Sequence, residues 1–111
     1  MAASEKTIQK AFAEILRFLR SERIEYMLVG AIALSFWGKT RATADIDFLV
    51  QLNAEDLAQL RPPDEWRLDL KWAQYNPLIR PLQKRFIVAG IILDLMLPRD
   101  AHDIESLHRK R

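Results

Sequence analysis

From Ser4 to Arg20 the apolar residues Ile8, Ala11, Phe12, Ile15, Leu16 and Leu19 recur at steps of three and four. That spacing lines one face of an α-helix. Beyond it the apolar rhythm changes to short runs: Tyr26-Met27-Leu28-Val29, then Ile46 to Val50 behind Asp45, Phe86-Ile87-Val88, and Ile91 to Leu97. Short runs rich in Val, Ile and Phe predict strands. The chain must therefore join helix to sheet, and its 111 residues suit one domain spanning 1–111.

The connections carry their own signals. Ser4 is placed to cap the first helix, and Tyr26 to Val29 reads as a buried strand ending at Gly30. Ala31 to Trp37 reads as a short apolar helix closed by Gly38, with Trp37 in the core. Asn53 predicts the N-cap of a helix over Ala54 to Leu60, ended by Arg61-Pro62-Pro63. Residues 64–82, with Trp66 and Trp72, fit either a strand or a short helix. Ala89-Gly90 suggests a hairpin between the last two strands, but alanine is a poor first residue for a primed turn, which leaves the register open. A terminal helix is expected from Asp100 to Arg111.

Composition excludes several classes. There is no cysteine, so disulfides, thiol nucleophiles and zinc ribbons are ruled out. Seventeen Lys and Arg against fifteen Asp and Glu leave a net charge of +2, too small to argue for nucleic-acid binding. Gly30, Gly90 and Asp94 interrupt the longest apolar stretches below the roughly 20 residues of a membrane span. The amino terminus lacks a signal-peptide core, and the expectation is a cytoplasmic protein without membrane contact.

Three acids then need explaining. Asp45 and Asp47 are two apart on a strand, so both emerge on the face opposite Ile46, Phe48 and Val50. Asp94 interrupts an otherwise apolar run, where an unpaired carboxylate would cost several kcal/mol. A divalent cation would compensate, since Mg²⁺ favours carboxylate oxygens. An ion pair from Asp94 to Arg41, Lys84 or Arg85 is the plainer alternative. Upstream, a strand ending at Gly30 and turning into a helix near Ala31 offers free backbone N–H groups to a phosphate. Thr40, Arg41 and Thr43 add a guanidinium and hydroxyls between that turn and the acids.

Taken together, Leu28-Val29-Gly30-Ala31, the stretch Arg41-Ala42-Thr43-Ala44-Asp45-Ile46-Asp47-Phe48 and the later Asp94 resemble the polymerase-beta-type nucleotidyltransferase superfamily. Within it, residues 29–50 look most like the abortive-infection and type IV toxin nucleotidyltransferases, and more distantly like the minimal nucleotidyltransferases that pair with helical HEPN proteins. The resemblance spans about Tyr26 to Leu97. It implies an α+β fold, a small mixed β-sheet backed by helices. It further implies that Asp45, Asp47 and Asp94 are catalytic and bind Mg²⁺ or Mn²⁺, and that Gly30, Ala31, Arg41 and Thr43 bind the nucleotide.

The implied reaction transfers a nucleoside monophosphate from an NTP to a hydroxyl on RNA, protein or a small molecule, with release of pyrophosphate. The implied setting is a toxin–antitoxin system, with a helical HEPN-like or antitoxin partner or a homo-oligomer. Two departures stand against this. Ala31 replaces the serine or second glycine usual in the family, and little chain follows Asp94 to form an acceptor-binding domain. The alternative is a catalytically inactive module of the same fold that acts by binding nucleotide or a partner protein.

Overall fold

The computed structural model describes residues 5–29 and 45–99, which form a mixed α+β domain: a five-stranded sheet with three helices among the described residues. Helix α1 (Glu5–Ser21) is followed by β1 (Tyr26–Val29), β2 (Asp45–Val50), α2 (Ala54–Ala58), β3 (Arg67–Leu68), α3 (Leu70–Tyr75), β4 (Gln83–Val88) and β5 (Ile91–Met96). The strand order is β1-β2-β5-β4-β3. Only the β2–β5 pair is parallel; β1–β2, β5–β4 and β4–β3 are antiparallel. No helix among the described residues is long and apolar enough to cross a membrane.

Helix α1 forms as its spacing predicts, and its inward residues Ala11, Ile15 and Leu19 are fully buried. Two aromatic rows fix it to the sheet. Phe12 stacks on Phe48 at 6.0 Å between ring centres, and Tyr26 meets the same ring edge-on at 5.4 Å. Phe18 packs edge-on against Trp66 at 5.0 Å, and Trp66 in turn contacts Phe86 at 5.8 Å. Such pairs add about 0.5–1.5 kcal/mol each beyond area burial. Trp66 is therefore a core residue.

The helix ends in a feature the sequence did not announce. Arg23 has φ 57, the Arg23 N–H donates to Arg20 O at 3.0 Å, and the Ile24 N–H donates to Leu19 O at 2.9 Å. These bonds make a Schellman ending with arginine where glycine is usual. Ile24 and Leu19 are both buried, supplying its apolar contact.

Several expectations change in detail. β1 is only partly buried, with Leu28 38% exposed, because the sheet of described residues ends there. Asn53 caps α2 as expected, its Oδ1 accepting from the Asp56 N–H at 2.7 Å, but the helix stops at Ala58. Residues 64–82 use both candidate structures, giving the short β3 and then α3. β4 begins three residues earlier than the apolar run, at Gln83. Ala89 and Gly90 adopt φ 53 and 81, the two positive values of a type I′ turn, so the hairpin closes with Val88 opposite Ile91. Ser4 and the helices expected over 31–37 and 100–111 lie outside the described residues.

Candidate functional site: a row of charges across three strands

Side chains alternate along β2, so Ile46, Phe48 and Val50 enter the core beside α1 and are fully buried. Asp45 and Asp47 emerge on the other face, Asp45 exposed and Asp47 half-buried. In the parallel β2–β5 pair the register partner of Asp47 is Asp94. In the antiparallel β5–β4 pair the partner of Asp94 is Arg85. Asp47, Asp94 and Arg85 thus form a row across three adjacent strands, with Asp45 one step along the same face.

Asp94 is 4% exposed, and Arg85 satisfies it by a two-pronged bond. Arg85 Nε donates to Oδ1 at 2.8 Å and Nη2 donates to Oδ2 at 3.0 Å. Of the three cations open as partners in the sequence, Arg85 takes this place because the hairpin register puts it opposite Asp94. Lys84, one residue earlier, points to the other face. Its Nζ donates to the carbonyls of Leu57, Ala58 and Leu60 at 3.0, 2.9 and 3.4 Å, closing the C-terminal end of α2.

Arg85 is positioned in its turn by α3. Asp69 Oδ1 accepts from the Trp72 N–H at 3.0 Å, starting that helix, and the Asp69 N–H donates to the Arg85 carbonyl at 3.0 Å. The Trp72 ring centre lies 5.0 Å from the Arg85 guanidinium carbon, within cation–π range. Arg85 and Trp72 also line a pocket of about 350 Å³, together with Asp69, Arg80 and Gln83. Sequence reasoning left Trp72 unassigned, since nothing local to it reports what lies opposite on β4.

The row leaves Asp47 electrostatically frustrated. Its pKa is raised from the ordinary 3.8 to about 6, first by burial, then by the Asp94 and Asp45 charges and a hydrogen bond with Asp94, with Arg85 opposing. The bond to Asp94 in turn holds Arg85 more firmly charged. Crowded carboxylates that compensate one another poorly attract a hard cation. The donor chemistry of Asp45 and Asp47 fits Mg²⁺ or Mn²⁺. Asp94 fits less directly as placed, because Arg85 donates to each of its oxygens and Asp47 shares a hydrogen bond with it, so a cation would have to compete for them; among the described residues no three His, Cys, Asp or Glu side chains gather as a ready metal-ligand set.

The remaining candidates, Gly30, Ala31, Arg41 and Thr43, lie outside the described residues. What the fold and site define is a small α+β domain whose mixed sheet carries a charged row on the face opposite its main helix. Compared with known proteins, the chain matches no family model and no curated protein.

Proposed function

We propose that the chain is a minimal nucleotidyltransferase of the polymerase-beta type, moving a nucleoside monophosphate from an NTP to a hydroxyl acceptor and releasing pyrophosphate. The observation that carries this reading is the register of Asp47 with Asp94, with Asp45 on the same face. All three acids of the sequence pattern thereby share one surface. In this reading Asp45 and Asp47 hold Mg²⁺ or Mn²⁺, while Gly30, Ala31, Arg41 and Thr43 receive the nucleotide. The bound cation would neutralise phosphate charge and favour the ionised acceptor hydroxyl.

The bond changes are simple. The acceptor oxygen bonds to the α-phosphorus as the bond to the bridging oxygen breaks, pyrophosphate leaves with the electron pair, and the hydroxyl proton passes to a carboxylate of the row. RNA, a protein or a small molecule serves as acceptor.

The test is incubation with each NTP labelled at the α-phosphate, Mg²⁺ and total RNA or a candidate partner protein. Label transferred by the wild-type chain and lost in Asp47→Asn supports the reading; equal transfer by both proteins, or none by either, overturns it. A second reading, a non-catalytic nucleotide- or partner-binding module, is favoured by Arg85 occupying both oxygens of Asp94. It requires a rise in melting temperature with NTP and Mg²⁺ while no label moves. At a hundredfold excess over Kd such binding stabilises by about 2.7 kcal/mol, well within detection.

A further inference from the structure

A guanidinium that grips both oxygens of a carboxylate uses its best-directed lone pairs. A cation arriving at Asp45 and Asp47 therefore meets a third acid already satisfied, by Arg85 Nε at 2.8 Å and Nη2 at 3.0 Å. The guanidinium also has somewhere to go. It already lies over the Trp72 ring, 5.0 Å from its centre, and the pocket of about 350 Å³ that Arg85 and Trp72 line together with Arg80 and Gln83 provides room for it to swing off Asp94. Arg85 is only partly covered, at 23% exposure against 6% for the Asp94 side chain, so it is the partner freer to move.

We propose that Arg85 is an internal competitor for the cation: its fork closes Asp94 in the free protein, and Asp94 joins the metal site only when the fork swings away from it into that pocket. Arg85 is thus a positioning residue that sets metal affinity. The inference rests on the reading of Asp45 and Asp47 as the cation site, and the experiment separates the two.

Mn²⁺ alone is titrated into the wild-type chain, Arg85→Met and Asp47→Asn, with free Mn²⁺ followed by electron paramagnetic resonance. The expected result is binding at least tenfold tighter in Arg85→Met than in wild type, because the variant removes one positive charge and frees two oxygens, with binding lost in Asp47→Asn. Unchanged or weaker binding in Arg85→Met, with binding still lost in Asp47→Asn, overturns the competitor role and leaves the site reading intact. Equal Mn²⁺ binding by wild type and Asp47→Asn, or no binding by any of the three, overturns the site reading and the inference with it. If Arg85→Met does not fold by circular dichroism, Arg85→Lys decides instead: it keeps the charge but lacks the fork, so tighter binding supports the role and unchanged binding overturns it.

Discussion

Asp47 and Asp94 are register partners across the one parallel strand pair among the described residues, and the pKa of Asp47 rises to about 6 there. The folded protein therefore holds a proton on Asp47 more tightly than the unfolded chain does. Its stabilising effect is full below pH 3.8 and is lost as pH rises through about 6. Asp47 is partly solvated, so the loss is screened to about 1 kcal/mol. Asp47→Asn is expected to remove this slope and raise the melting temperature at pH 7 by about 4 °C. Thermal unfolding of both proteins from pH 4 to pH 8 measures the difference. A stabilising substitution that removes the proposed activity is what a functional carboxylate predicts.

The Arg85–Asp94 pair is expected to respond unequally to the loss of either member. Arg85→Met leaves a buried carboxylate beside Asp47 and costs about 3 kcal/mol. Asp94→Asn leaves a guanidinium that still has Trp72 and solvent, and relieves the repulsion on Asp47, so it costs under about 1 kcal/mol. Urea unfolding of the two variants decides it; equal costs would contradict the row as described.

Two positions carry side chains where the backbone favours glycine or asparagine. Arg23 has φ 57 and Ala89 φ 53. Arg23→Gly and Ala89→Asn are each expected to stabilise by about 1 kcal/mol, read as the denaturation midpoint. Gly90→Ala is expected to cost about 1 kcal/mol. At Gly90, φ is 81 and an added Cβ would meet nothing within 4 Å, so the cost is purely one of backbone conformation.

Lys84 closes α2 through three carbonyls and lies over the Phe86 ring at 5.7 Å. Lys84→Met keeps the apolar stem and removes the donors. The expected loss is about 1–2 kcal/mol, seen as faster hydrogen exchange in α2 with little change in α1.

The sequence resolved what periodicity controls. The alternation of Asp45 to Val50 separated core from acid face, and three- and four-residue steps located α1. It did not resolve what a single turn controls. With Ala89 unfavourable in a primed turn, the hairpin register stayed open, and with it the choice of cation for Asp94. Once Val88 faces Ile91, counting three pairs outward places Arg85 opposite Asp94. Trp72 was illegible for another reason: α3 is six residues long, started by Asp69, and that residue is held by a backbone bond to distant Arg85. The proposed nucleotide-binding residues Gly30, Ala31, Arg41 and Thr43 fall outside the described segments, so the acids carry the site argument alone.

The most direct measurement is a crystal grown with Mn²⁺ and a non-hydrolysable NTP, read by anomalous scattering. The account predicts a Mn²⁺ peak about 2.1–2.2 Å from carboxylate oxygens of both Asp45 and Asp47, with a phosphate oxygen completing the same ion. Saturating Mn²⁺ with no peak between those two carboxylates, or with the ion bound elsewhere, would contradict it.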